Sequence, residues 1–152
     1  MRFTKTLVNR LEYPVKYIMV VEDDMTHQKL WMDKLSTIFK PQGDTIIVMA
    51  PTADIAYSIV KDRTERHIYP SLPKILILDH DLQWGNGREL IIGMNSLGVS
   101  CPLFLSSGID ENNEKMKDLA ELCYWNHRIT TLKNKHNDPE LTNYIVRELF
   151  PL

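Results

Sequence analysis

Several residues able to do chemistry stand where strand-like runs end. Glu22 and Asp23 follow the run Y-I-M-V-V, residues 17–21, and Asp79 follows I-L-I-L, residues 75–78. Ser106 and Ser107 close a third run, P-L-F-L-S-S, and Lys133 follows a weaker one around Ile129 to Leu132. If these runs are neighbouring strands of one parallel sheet, their carboxyl ends share an edge. That edge is where open α/β sheets place their ligands. Three carboxylates crowded there repel one another, which raises their pKa values unless a cation is present. A hard divalent ion such as Mg2+ answers the need. It prefers oxygen ligands at roughly 2.0–2.1 Å, keeps several waters and completes its shell with phosphate oxygens. A hydroxyl and an ammonium could hold the remaining oxygens of a phosphoryl group. The chemistry implied is phosphoryl transfer to a carboxylate.

The elements that must position these residues follow from apolar spacing. Ile75 to Leu78 is unbroken and half β-branched, as suits a strand buried on both faces. Residues 17–21 and Thr45 to Ala50 read the same way, and Pro102 to Ser106 is a further strand. Thr26 to Phe39 reads as a helix with Leu30, Trp31, Leu35 and Ile38 facing inward. Thr52 is placed to cap a second helix striped by Ile55, Ala56, Ile59 and Val60. The polar stretch Lys61 to Lys74 reads as a long connection. Leu90, Ile91, Met94 and Leu97 mark a third helix, and Met116, Leu119, Ala120 and Cys123 a fourth. A closing helix carries Leu141, Tyr144, Ile145 and Leu149, with Asp138 as cap and Pro139 at its first position. Five strands alternating with five helices predict a parallel sheet covered on both faces.

Length and composition agree. The 152 residues, 43% hydrophobic and 25% charged, suit one globular domain. A net charge of −2 gives no reason to expect nucleic acid or an anionic membrane as partner. No apolar run approaches the ~20 residues that span a bilayer. The first residues lack a signal peptide's apolar core, and two cysteines make no disulfide framework. A reduced, cytoplasmic location is expected. Residues 1–15 are expected to be an extension with a possible short helix, and residues 16–152 the domain proper.

Taken together, the blocks V-V-E-D-D, L-I-L-D-H-D-L-Q-W-G-N-G and P-L-F-L-S-S-G resemble the receiver domain of two-component response regulators, over roughly Lys16 to Leu149. The resemblance implies a flavodoxin-like (βα)5 fold, a doubly wound parallel sheet of strand order 2-1-3-4-5. It also implies roles. Asp79 accepts a phosphoryl group from a phosphohistidine on a sensor histidine kinase or a histidine phosphotransfer protein. Glu22, Asp23, Asp79 and the backbone carbonyl of Asp81 bind Mg2+. Ser107 hydrogen-bonds the phosphoryl oxygens and a lysine pairs with them. The product would alter affinity for a downstream protein or pass the phosphoryl group on. Such a protein, expected to stand alone, is not an enzyme beyond partly catalysing its own phosphorylation and dephosphorylation.

The chain departs from the family pattern after the fourth strand. The usual Lys-Pro pair is missing from T-T-L-K-N-K-H-N-D-P. Lys133, directly after the strand, is the first choice, and Lys135 stands at the better distance from Asp138-Pro139. Thr130 and Thr131 stand where an aromatic switch residue is expected.

Two rival readings follow from the same residues. The missing Lys-Pro is compatible with a pseudo-receiver, a docking module that is never phosphorylated. The Asp-x-Asp of Asp79 and Asp81 after an apolar strand also resembles haloacid-dehalogenase-like phosphatases, which carry that motif near their start and need a later acidic pair. His80 more simply packs or hydrogen-bonds in its loop than binds metal. The five histidines show no paired helical spacing for zinc.

Overall fold

The computed structural model describes residues 16–39, 45–78, 87–106, 129–132 and 140–149. Strands β1 (Lys16–Val21), β2 (Thr45–Ala50), β3 (Ile75–Leu78), β4 (Leu103–Ser106) and β5 (Ile129–Leu132) form one sheet of order β2-β1-β3-β4-β5. Every pairing is parallel. The doubly wound arrangement and strand order expected from the sequence are therefore present.

Side chains alternate across a strand, and that alternation splits the core in two. Tyr17, Met19, Val21, Leu76, Leu78 and Leu103 face one side, while Ile18, Val20, Ile75, Ile77 and Phe104 face the other. Both faces need cover, which is why these runs are apolar throughout. Helices α2 (Ala53–Glu65) and α3 (Gly87–Ser96) cover the first face through Ala53, Ala56, Val60, Leu90, Ile91 and Met94. Helices α1 (Met25–Phe39) and α4 (Leu141–Leu149) cover the second through Trp31, Leu35, Leu141 and Ile145. The edge strand β2 is the less buried neighbour of β1, and its Ile46 is exposed.

The helices depart from expectation in register and length. Leu30 and Ile55, read as inward-facing, are 40% and 43% exposed. Each lies about 100° round its helix from the buried residue that follows it, Trp31 or Ala56. Lys61 to Glu65, read as the start of a connection, instead completes α2. Lys61 pairs with Glu65 at 4.0 Å and Asp62 with Arg66 at 3.5 Å, supporting a polar last turn. The expected helix around Met116 to Cys123, the Asp138-Pro139 start and the amino-terminal extension lie outside the described residues.

The connection that does remain, from Arg66 to Lys74, is tied to the amino-terminal edge of the sheet. The Tyr17 hydroxyl donates to Ser71 O at 2.8 Å, and Arg63 Nε donates to Pro70 O at 2.8 Å. The Arg63 guanidinium stands 5.2 Å from the centre of the Tyr17 ring. These contacts lie at the opposite end of the strands from the acids.

Candidate functional site

Register decides what stands at the carboxyl edge. Val21 is level with Leu78, Leu78 with Leu105, and Leu105 with Thr131. The next row holds Ser106 beside Leu132, and Glu22 continues β1 by donating its N–H to Ala50 O at 3.0 Å. Asp79, Ser107 and Lys133 are the residues that follow Leu78, Ser106 and Leu132 in sequence. They, Asp81 and Lys135 lie outside the described residues. Four chain segments distant in sequence thus end within one residue step of each other, as the sequence reading required.

Glu22 is fully buried and is the one buried charged or polar side chain among the described residues. A buried carboxylate is costly unless it is paired, hydrogen-bonded or bound to a metal. Its surroundings hold it in place. Gln28 Nε2 donates to the Glu22 carbonyl oxygen at 2.7 Å, and the Asp24 N–H approaches Glu22 Oε2 at 3.4 Å. Asp23, half-buried, follows it at the edge.

The third acid of the E-D-D block has a different role. Asp24 Oδ1 accepts from the His27 N–H at 3.0 Å, and Asp24 O accepts from the Gln28 N–H at 2.8 Å. That is the geometry of an N-cap, so Asp24 starts α1, whereas Glu22 and Asp23 are the two residues between β1 and that cap. The sequence reading begins the helix at Thr26 without singling out Asp24, although an acid just before an apolar-periodic segment is a usual mark of a cap. Gln28 was not legible, because its partner is a backbone carbonyl that no residue pattern advertises.

Glu22 and Asp23 offer hard oxygen donors from consecutive residues, one rigidly buried and one reachable by solvent. This donor set fits Mg2+ and does not fit a soft or borderline metal. Among the described residues no group of three or more His, Cys, Asp or Glu forms a closed cage. An open two-acid site suits an ion that keeps waters and takes further ligands from elsewhere.

No protein-family model matches the chain, and no curated protein matches it. Solved structures do. The receiver domain of the histidine kinase CKI1 from Arabidopsis thaliana, complexed with Mg2+ and BeF3−, aligns with a TM-score of 0.65 at 21% identity, covering 88% of this chain and 89% of that one. The Mn2+-bound form of response regulator Rcp1 aligns with a TM-score of 0.63 at 19% identity, over 90% of this chain and 95% of that one. The phosphorylated cyanobacterial phytochrome response regulator RcpA gives 0.63 at 20% identity, over 87% and 91%. This chain has the receiver-domain fold, in its flavodoxin-like form. No helix among the described residues is long and apolar enough to cross a membrane.

Proposed function

We propose that residues 16–152 form a phosphoacceptor receiver and that residues 1–15 are an extension of it. The observation that carries this reading is the fully buried Glu22, one residue past Val21, which is level with the end of β3 at the carboxyl edge of a receiver fold. In this reading a phosphohistidine of a histidine kinase or phosphotransfer protein is the donor. The donor's P–N bond breaks, a P–O bond forms to the Asp79 carboxylate, and the donor keeps its imidazole. Glu22, Asp23, Asp79 and the Asp81 carbonyl would hold Mg2+. When bound, the ion supplies charge neutralisation for the phosphoryl oxygens, as phosphoryl transfer generally requires. Ser107 would donate to those oxygens, and Lys133, or Lys135 in its place, would pair with them.

The fold supports this reading against a haloacid-dehalogenase-like phosphatase. The strand preceding Asp79 is third in the chain and central in the sheet, whereas the phosphatase motif sits near the start. Phosphorylation would add charge and strong acceptors at one point of the edge. The region between β4 and β5 is the element it would bias toward a downstream protein. The cytoplasm, where kinases and phosphotransfer proteins present phosphohistidine, is the proposed location.

Labelling by acetyl phosphate, read by intact-mass spectrometry, tests the proposal. A phosphoryl-sized mass gain that needs Mg2+ and vanishes in Asp79→Asn is the expected result. Lys133→Ala and Lys135→Ala, measured alongside, assign the lysine. Absence of both the adduct and Mg2+ binding would overturn the proposal in favour of a docking module.

A further inference from the structure

Helices α2 and α3 lie side by side on one face of the sheet, and their amino-terminal turns frame a groove. It has a volume of about 210 Å³ and is lined by Ala53, Asp54, Tyr57, Glu89, Leu90 and Gly93. Gly93 shapes it. A Cβ at that position would stand 2.9 Å from Tyr57 Cδ2 and 3.0 Å from Cε2, too close for both to keep their places. Only with glycine there can the Tyr57 ring lie against the backbone of α3 and form one wall. Ala53 and Leu90, both buried, make an apolar floor. Asp54 and Glu89, both exposed, stand in the first turns of their respective helices.

Each acid alone is explained by the helix dipole, which favours negative charge in a first turn. The dipole does not account for an aromatic wall, an apolar floor and a glycine between them. Neither groove acid forms an ion pair with another described residue, unlike Glu65 and Asp62, which pair with Lys61 and Arg66. The volume falls below the ~300–1,000 Å³ typical of small-molecule sites. It suits one side chain with an aliphatic stem and a planar cationic head. Arginine meets that description: its stem packs on an apolar floor, its head stacks on an aromatic face, and its fork donates to carboxylates.

We propose that the α2–α3 groove is a docking site for an arginine presented by a partner protein. The site stands on its own geometry and holds whether or not Asp79 accepts a phosphoryl group. It differs from the region between β4 and β5, so one copy could engage two partners or one partner at two points.

A random peptide library displayed on phage and panned against the immobilised full chain tests this. Enriched peptides should carry an arginine, and their affinity should fall at least about tenfold for D54N/E89Q, since each lost charge-assisted hydrogen bond weakens binding substantially. Gly93→Ala, which leaves both charges but displaces Tyr57, should weaken them similarly; charge attraction alone would not respond to it. Nitrogen-15 NMR spectra of each variant establish that it is folded and map the bound peptide. Peptides without arginine, lysine substituting with equal affinity, or affinities unchanged in folded D54N/E89Q would each overturn the proposal. Self-association of the chain that D54N/E89Q abolishes would also overturn it, placing a second copy in the groove.

Discussion

Gln28 Nε2 donates to the carbonyl oxygen of Glu22 at 2.7 Å, tying the first turn of α1 to the residue just past β1. The bond connects helix to sheet at the point where the buried carboxylate leaves the strand. It fixes the backbone from which that carboxylate is presented, together with the ladder bond from Glu22 N to Ala50 O.

Gln28→Ala should therefore cost about 1 kcal/mol of stability, the usual net worth of one internal hydrogen bond. Urea unfolding reads this. Mg2+ affinity, measured by calorimetry, should weaken by up to about tenfold, the low end for residues that orient a metal ligand. An unchanged affinity would mean that the strand alone positions Glu22.

The adjacent acids Asp23 and Asp24 should separate by phenotype. Asp24→Ala removes an N-cap and should cost about 1 kcal/mol, with Mg2+-dependent acetyl phosphate labelling retained. Asp23→Asn should leave stability without Mg2+ nearly unchanged and abolish labelling. The reverse pattern would exchange their roles.

Glu22→Gln keeps the shape of the buried side chain and removes its charge. Wild-type protein should gain stability from Mg2+ by mass action, about 2.7 kcal/mol at a concentration one hundredfold above Kd. Chelation with EDTA should remove that gain. The variant should show no Mg2+ dependence of its melting temperature, and without the ion it should be at least as stable as wild type, because like charge at the edge is relieved. A variant still stabilised by Mg2+ would place the ion elsewhere.

Alkaline pH should reveal a second, partly buried group. Burial pushes the Cys101 thiol from 9.0 up to about 12, against weaker opposing hydrogen bonds to backbone and the charge of Lys74. The folded chain therefore keeps a proton that the unfolded chain has released. Its contribution is complete below pH 9 and is lost as pH rises toward 12, at up to about 1.4 kcal/mol per pH unit. Burial also raises the Tyr17 hydroxyl, whose ordinary value is 10.0, and Arg63 partly offsets it. The thiol is thus isolated between pH 9 and 10, where Cys101→Ala should show a shallower loss of stability than wild type. Equal slopes by urea unfolding would show that the thiol does not carry the dependence.

The apolar runs that precede Glu22-Asp23 and Asp79, and their alternation with helical segments, were sufficient to determine a parallel sheet whose strands end along one edge. That much is local: a four-residue run such as I-L-I-L has no polar face, so only a doubly covered sheet accepts it. Spacing within Trp31, Leu35 and Ile38 likewise specified which side of α1 packs. Leu30 and Ile55 did not declare their outward orientation, because hydrophobic residues beside a buried stripe look the same in sequence whether or not a neighbour covers them. Only register along β1, β3, β4 and β5 put Val21, Leu78, Leu105 and Thr131 in a common row, since strand alignment is set by pairing between segments that sequence does not place together. The Gln28 bond to the Glu22 carbonyl and the groove between Tyr57 and Gly93 belong to the tertiary structure for the same reason. Each joins two segments whose separation along the chain carries no mark of their closeness in space.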